Sequence, residues 1–289
     1  MDRRFAQAFG VVVALLIGVA GGERFGGGEV PTGEAQDSSD VIRVGPFSDM
    51  APGWTFSDGW QRVSMAAAYD TTEYKLIRSE QGVVLRAHSN TGTSGVGRRC
   101  RIDLTTHPIL EWQWKVEDIV DKGKAGVKGR HDFPARIYVS FDYDGLSLLN
   151  RLKLTALRAL GFEAVPQRSI VYAWANRVPK DSVVRSPYVE WLRQIAVRSG
   201  STQVDTWVRE RRNVRDDYRR LFGEEPPPVN GIAVMTNTGH TEESVTAYYG
   251  DIVFRADSLS APEDADTSTT EAIGTSLHSQ SGRHPEGDP

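Results

Sequence analysis

The sequence predicts a mainly β protein: an antiparallel two-sheet β-sandwich, jelly-roll-like, with two inserted amphipathic helices. The first observation behind this class is a period of two, because apolar and polar residues alternate along 109–117 and again along 135–142. Such alternation is typical of strands with one buried face. The second observation is that Gly, Pro, Asn and Asp clusters separate most strand candidates, which favours a sandwich over alternating βαβ units.

The alternation also assigns side chains to faces. In the first segment, Trp112 and Trp114 share the apolar face, and charged or amide side chains occupy the other face. In the second segment, Arg136 and Tyr138 lie opposite the aliphatic residues. Further strands are predicted at 74–79, 82–88, 169–176, 189–198, 230–236 and 245–255, with a hairpin turn at 80–82.

Two segments have helical periodicity. Leucines recur at helical spacing in 146–160, a segment with a basic side that we expect to pack onto the sandwich rather than onto a membrane surface. A second helix is predicted over 203–222, where an apolar stripe includes Trp207 and Tyr218. Ser201 or Thr202 would cap its start, and Gly223 fits the position just past its end.

The chain divides into four parts by composition. Residues 1–22 combine two arginines with an apolar run at 10–20, as in a signal peptide, and an uncleaved membrane anchor is the alternative. Residues 23–40 read as a flexible linker. We expect the folded β-sandwich domain at 41–256 and a disordered tail at 257–289, which is poor in large apolar side chains. The protein is therefore predicted to be exported, either periplasmic or secreted, with no membrane span in the mature domain.

Composition excludes several classes of function. The formal net charge is -4, with basic residues scattered among more numerous carboxylates, which argues against nucleic-acid binding. Cys100 is the single cysteine, so an internal disulfide and any multi-cysteine metal site are excluded. The run 142–145 contains Asp and Gly but lacks the further ligands of a calcium loop, and a turn is the favoured interpretation. We therefore predict no metal and no cofactor.

The first candidate site lies in the Gly-rich, basic loop 121–133. Here His131, Asp132 and the following Arg136 could recognise an anionic or hydroxylated ligand, since Arg presents a bidentate fork and His exchanges protons near neutral pH. The alternative is a solvated loop in which Asp132 pairs with Arg136 or Arg130. The loop lacks the spacing of a phosphate-binding loop.

The second candidate site lies on the predicted strand 169–176. Tyr172, Trp174 and Asn176 alternate with small residues, and Arg177 comes directly after them. A Trp ring can stack on a pyranose while Asn and Arg bind hydroxyls. The alternative is that Tyr172 and Trp174 are core residues. We predict ligand contacts at Arg136, Tyr138, Trp174, Asn176, Arg177, His131 and Asp132, with no catalytic residue assigned.

Several motifs resemble an uncharacterised family of exported bacterial proteins, domain of unknown function 3047. They are the segments 133–141, 172–177, 211–214 with 217–220, 222–226, 231–236 and 249–252. The resemblance covers about 45–255 and implies bacterial origin and export, without a function for any residue. The early tryptophans and the closing strand also resemble jelly-roll carbohydrate-binding and lectin-like domains, in which the ligand lies on a concave sheet or on rim loops.

These observations lead to three hypotheses about function. The first is a β-sandwich that binds a carbohydrate or another polar glycan, which requires Arg136 and Trp174 to share an accessible face. The second is a polysaccharide lyase or hydrolase on the same scaffold, with His131 or Tyr138 as proton acceptor and Arg136 neutralising a substrate carboxylate. The third is a structural envelope protein that binds another protein, which an exposed apolar patch would favour.

Overall fold

The computed structural model describes residues 40–53, 59–64, 71–159 and 168–257. The predicted signal segment 1–22, nearly all of the predicted linker and the predicted tail beyond residue 257 lie outside these residues. Within the described ranges, no helix is both long enough and apolar enough to cross a membrane.

The elements follow one another as strands with two helical insertions. The strands are β1 (Val41–Gly45), β2 (Trp60–Ser64), β3 (Glu73–Ser79), β4 (Gly82–Asn90), β5 (Thr93–Ile102), β6 (Ile109–Val116), β7 (Phe133–Phe141), β8 (Ser169–Ala175), β9 (Val183–Arg185), β10 (Leu192–Ser199), β11 (Val208–Asn213), β12 (Val229–Asn237) and β13 (Ser244–Arg255). The helices are α1 (Leu148–Ala159) and α2 (Val214–Phe222), and a single 3-10 turn covers Phe47–Asp49.

The strands form the two sheets that the sequence predicts. The first sheet has the order β11-β6-β13-β4-β3, with β1 paired to β13, and the second has the order β2-β5-β12-β7-β8-β10-β9. All pairs are antiparallel except β8 with β10, which run parallel. The predicted mainly β, antiparallel two-sheet sandwich is therefore confirmed, as is the hairpin between β3 and β4.

Aromatic rings from both sheets form the centre of the core. Trp112 and Trp114 of β6 face Tyr172 and Trp174 of β8, with ring centroids 5.4 Å apart for the first pair across the sheets and 6.0 Å for the second. All four side chains are at most 3% exposed. The indole N–H of Trp174 donates to the backbone carbonyl of Gly200 at 3.0 Å. The alternation in β6 and β8 is thus the result of packing between the sheets.

The outer face of the second sheet is also covered. Tyr138, Val171 and Met235 of three neighbouring strands form an apolar cluster there with Leu192, and Val189 of the loop after β9 packs against it. A further cluster joins α1 to this side of the molecule, formed by Leu146, Leu154, Trp191, Tyr143 and Val189. Both faces of β7 and β8 are therefore buried, which explains the continuous apolar run in β8.

The predicted helix over 203–222 is wrong in its first half. Residues 208–213 form β11, an edge strand antiparallel to β6, in which Val208 and Glu210 are buried and Arg209 is exposed. The helix begins only at α2, where the side chain of Asn213 accepts a hydrogen bond from the backbone N–H of Asp216 at 3.1 Å. Pairing with β6 overrides the helical stripe, because the alternation along β11 buries Val208 and Glu210 on one face.

The end of α2 and the position of α1 agree with the sequence. Gly223 follows α2 in the left-handed conformation, φ 75°, and its N–H donates to the carbonyl of Arg219. Helix α1 occupies the predicted segment and buries Leu154, while Leu148 and Leu149 are exposed. Tyr172 of β8 donates from its hydroxyl to the carboxylate of Asp217 at 3.0 Å, which fastens α2 to the second sheet.

The core position of Trp174 predicts a large effect on stability. Replacing Trp174→Ala should lower the free energy of unfolding by about 3–5 kcal/mol, as for other buried aromatic residues. Urea unfolding followed by circular dichroism measures this change. Half-buried Trp207 provides the matched control, because Trp207→Ala removes an indole that is not sealed between the sheets. An equal effect of the two substitutions would contradict the core assignment.

Candidate functional site

Three strand ends meet at one end of the second sheet. Strand β7 begins there, and its neighbours β8 and β12 both end there because they are antiparallel to it. Phe133 pairs with Asn237 at this end, and the loops 120–132, 176–182 and 238–243 surround it. Polar residues that are distant in sequence therefore come together around the start of β7.

Asp132, directly before β7, is the centre of this polar cluster. Its side chain is fully buried and accepts five hydrogen bonds. One oxygen accepts from the amide of Asn237 and from Nδ1 of His240, the latter at 3.0 Å. The other oxygen accepts from the backbone N–H of His240 and from the backbone and hydroxyl of Thr241, at 2.8 to 3.1 Å. These donors replace the water that a buried carboxylate loses.

The ring of His240 continues this network toward the surface. Its Nδ1 faces the carboxylate of Asp132, so the neutral ring carries its proton on that nitrogen and Nε2 is an acceptor. The hydroxyl of Tyr188 lies 3.0 Å from Nε2, and the two rings stack with centroids 5.8 Å apart. Tyr188 also accepts from the backbone N–H of Gly129 at 3.1 Å. A continuous chain of hydrogen bonds thus runs from Tyr188 through His240 to Asp132.

The basic loop 121–130 is held by backbone hydrogen bonds. The carboxylate of Glu243 accepts from the backbone N–H groups of Asp121 and Lys122, both at 3.1 Å. Position 123 requires glycine because Asn176 packs closely against it, and a Cβ there would lie 2.3 Å from the side-chain nitrogen of Asn176. Gly129 has φ 74°, in the left-handed region that favours glycine. The glycines therefore shape the loop, and its basic side chains are exposed.

Arg136 lies behind this loop on the outer face of the second sheet. It is 4% exposed and donates to the side-chain oxygen of Asn237, which in turn donates to Asp132. Its guanidinium also lies 5.0 Å from the ring centroid of Phe133 and 5.4 Å from that of Tyr138. Among the described residues its buried Nε has no hydrogen-bond partner. Asn237 therefore mediates the contact of Arg136 with Asp132, and the predicted direct pair with Arg136 or Arg130 is wrong.

His131 is a buried, neutral member of the cluster. Its Nδ1 accepts from the backbone N–H of Gly126 at 3.0 Å, and its ring meets the edges of Phe133 and Tyr188. Burial, reinforced by the positive charge of Arg136 and by His240, lowers the pKa of His131 to about 3. The ring is therefore uncharged at neutral pH, which does not suit a role as a readily protonated base.

The structure brings some of the predicted contacts together and separates others. Arg136 pairs with Ala173 across the strands, whereas Trp174 pairs with Ala135, so Arg136 and Trp174 point to opposite faces of the second sheet. The predicted shared face is therefore wrong. Trp174 is 1% exposed in the core and has no surface on which a sugar could stack. Tyr138 is on the face of Arg136, but Met235 and the loop after β9 cover it.

The remaining two predicted contacts lie at the end of β8. Asn176 is buried, accepts from the backbone N–H of Val120 at 2.8 Å and donates to the backbone carbonyl of Asp132 at 2.9 Å. It therefore fastens the basic loop to the sheet. Arg177 has a 64% exposed side chain and lies 3.7 Å from the carboxylate of Asp121. Arg177 is thus the one predicted contact in the described chain that is freely accessible to a ligand.

Tyr188, Asn237, His240 and Thr241 belong to the cluster but were not predicted as site residues. The sequence does contain one signal, a run of polar residues with a histidine directly after β12. Tyr188 has no such signal, because the long loop that brings it to Gly129 and His240 crosses the outer face of the sheet. In the described part of the chain, no group of three or more His, Cys, Asp or Glu side chains is arranged to hold a metal ion.

The fold and this cluster define the chain as a two-sheet β-sandwich with a polar, loop-built site at one end of a sheet. The family model described as Protein of unknown function (DUF3047) matches residues 58–253. The chain belongs to this family, which confirms the resemblance seen in the sequence. No curated protein matches the chain.

The solved structures that match this chain include two adhesin domains and a xylan-binding module. The K2 cleaved adhesin domain of Lys-gingipain is 9% identical with a TM-score of 0.36, and the match covers 75% of this chain and 98% of that domain. The K3 adhesin domain from Porphyromonas gingivalis W83 is 8% identical with a TM-score of 0.33, covering 75% and 100%. The xylan-binding module CBM15 is 10% identical with a TM-score of 0.29, covering 75% and 95%. At these identities no residue role passes from those domains to this chain.

The lowered pKa of His131 predicts acid sensitivity of the fold. Because the folded-state pKa is about 3 and the ordinary value is 6.5, protonation favours the unfolded chain. The stabilising contribution is complete above pH 6.5 and is lost as the pH falls toward 3, at up to about 1.4 kcal/mol per pH unit. Across this pH range, the free energy of unfolding measured in urea should depend less steeply on pH for His131→Gln than for the wild type. If the stability of His131→Gln depended on pH as steeply as that of the wild type, the burial of a neutral His131 ring would be contradicted.

Proposed function

We propose that this β-sandwich is an exported protein that binds an acidic glycan at the loop-built end of its second sheet. The observation that carries the proposal is the loop 121–130, which presents four basic side chains and only one carboxylate, Asp121. The four basic residues, Lys122, Lys124, Lys128 and Arg130, are exposed. A rigid basic loop favours an anionic ligand, and charge complementarity of this kind speeds association and selects partners.

The rigidity of the loop favours ligand binding over the alternative that the loop is only a solvated surface. Its backbone is anchored to Glu243, Asn176, His131 and Tyr188 by the hydrogen bonds described above. A ligand that binds to a loop already held in place loses less conformational entropy in ordering it. Arg177 extends the basic surface beyond the loop, with its side chain largely exposed beside Asp121.

Polar residues next to the basic loop suit a hydroxylated ligand. Tyr188 and His240 present a half-buried hydroxyl and imidazole between the loop and β12. Rings with a polar tip, such as that of Tyr188, offer an apolar face to a pyranose and a hydrogen bond to its hydroxyls. The buried Trp174 has no part in this proposal. The accessible binding set is therefore Arg177, Lys124, Arg130 and Tyr188, and His240, whose side chain is 12% exposed, supports the hydroxyl of Tyr188.

Charge reversal on the loop tests the proposal. The double variant Lys124→Glu, Arg130→Glu should weaken binding of oligogalacturonate by about tenfold or more, equivalent to about 1.4 kcal/mol. The same protein should bind methyl-esterified oligogalacturonate weakly, because esterification removes the carboxylate charges. Isothermal titration calorimetry at low and high salt measures both effects, and raising the salt should weaken wild-type binding.

A matched control separates the loop from general surface charge. Lys75 and Arg78 are exposed on β3, the edge strand of the other sheet, so Lys75→Glu, Arg78→Glu makes the same change in net charge elsewhere. This control should keep wild-type affinity. Equal losses in the two double variants, or no binding of either glycan by the wild type, would refute an acidic-glycan site on the loop.

A further inference from the structure

The hydrogen-bond chain Tyr188–His240–Asp132 has a defined direction. Tyr188 accepts the N–H of Gly129, so its own hydroxyl proton is directed to Nε2 of His240, 3.0 Å away. Nδ1 of His240 donates to Asp132. Each donor in this chain points toward the buried carboxylate. A proton leaving Tyr188 therefore has an acceptor in place, and the resulting imidazolium has a counter-charge in place.

Asp132 is suited to stabilise that imidazolium. Its carboxylate is fully buried, and four other hydrogen bonds hold it in position beside His240. A low-dielectric setting strengthens the interaction between a carboxylate and a charged imidazole. The arrangement orients the ring, selects its tautomer and places a counter-charge beside the imidazolium that a proton from Tyr188 would form.

Tyr188 is the member of the chain that a ligand can reach. Its side chain is only partly buried, and its hydroxyl contacts the loop at Gly129, between the exposed Lys128 and Arg130. Burial raises the pKa of Tyr188, so the resting residue is a neutral phenol. A neutral phenol can accept a proton from a substrate only if it passes its own hydroxyl proton to His240 at the same time. The basic loop would place an acidic sugar directly against this oxygen.

We infer that Tyr188 is a catalytic residue for β-elimination of a uronate-containing glycan, with His240 and Asp132 as its positioning and proton-accepting partners. The inference rests on the proposed function, because the same basic loop binds the substrate carboxylate. The sequence suggests His131 or Tyr138 as the proton acceptor, but both side chains are buried. The inference assigns this role to Tyr188, which lies beside the exposed surface.

The reaction balances without any further reactant. The Tyr188 oxygen takes the proton at C5 of the uronate while the phenolic proton passes to Nε2 of His240. The electron pair of the broken C–H bond forms the C4=C5 double bond, and the C4–O bond to the preceding sugar breaks. The leaving oxygen then takes the proton back from the relay, which restores neutral Tyr188 and His240. The products are an unsaturated uronate and a new chain end.

Elimination fits these loops better than hydrolysis by paired carboxylates. Hydrolysis of that kind needs two carboxyl groups that flank the scissile bond, one of them free to donate a proton. Asp132 is sealed by its five donors, and both oxygens of Glu243 accept backbone N–H groups of the basic loop. Neither of these two carboxylates is available for that role, and the carboxylate of Asp121 on the basic loop lies 3.7 Å from the guanidinium of Arg177.

The test uses the full-length protein with polygalacturonate and measures binding and reaction separately. Formation of the unsaturated product is followed by its ultraviolet absorbance, and binding by calorimetry on catalytically slow variants. Tyr188→Phe should reduce kcat by about 10²–10⁴-fold, the range expected for loss of acid–base catalysis, with binding weakened by at most about tenfold, as expected for the loss of one hydrogen bond. Tyr143→Phe, a tyrosine after β7 whose hydroxyl donates to Gly145, is the matched control and should keep full activity.

A second variant tests the relay. In His240→Asn, the amide nitrogen can still donate to Asp132, but Nε2 is lost. It should fold, bind the polymer with a KM close to that of the wild type, and lose most of kcat. Full activity of either variant would overturn the inference. Wild-type binding without any unsaturated product would overturn the inference and leave the proposed function standing, whereas absence of binding and of product would refute both.

Discussion

The contact between the aromatic rings of β6 and β8 decides the orientation of the whole second sheet. Trp112 and Trp114 pack against Tyr172 and Trp174, which requires these side chains of β8 to face the first sheet. Because neighbouring residues of a strand point to opposite faces, the same contact turns Ala173 and its cross-strand partner Arg136 outward. The core therefore decides which polar residues are available for a site.

The buried carboxylate of Asp132 is the second organising interaction. It joins the start of β7 to the loop after β12 through five hydrogen bonds, and Asn176 joins the end of β8 to the same backbone. Leaving any of these buried groups without a partner would cost about 1–3 kcal/mol. This energetic cost stabilises one arrangement of the loops. In that arrangement the basic side chains and Tyr188 lie close together.

In β-sandwiches the sheets typically form a rigid scaffold, and the loops bear the functional residues. Here both faces of β7 and β8 are covered, by the first sheet on one side and by the loop after β9 with α1 on the other. Strands β7 and β8 therefore offer no open face to a ligand, and the proposed site lies at the loop-built end of their sheet. The proposed acidic-glycan site and the Tyr188 relay both follow from that location.

The class of fold, most strands, the end of α2 and the resemblance to the family can all be predicted from the amino-acid sequence. These features depend on local periodicity, on turn residues and on short motifs, all of which are visible along the chain. It also identified loop 121–133, which contains Asp132 and His131. It misassigned β11 as helix, because the pairing that decides between strand and helix is made with β6, about a hundred residues earlier.

Which polar residues form the candidate site depends on packing between the sheets and on the paths of the loops. The alternation in β8 correctly separates Trp174 from Ala173, but alternation alone does not say which face is covered by the other sheet. That choice comes from packing against Trp114, and it removes Trp174 from the surface. Tyr188 and His240 reach Asp132 through loops whose paths depend on hydrogen bonds to distant backbone, so no local pattern could place them.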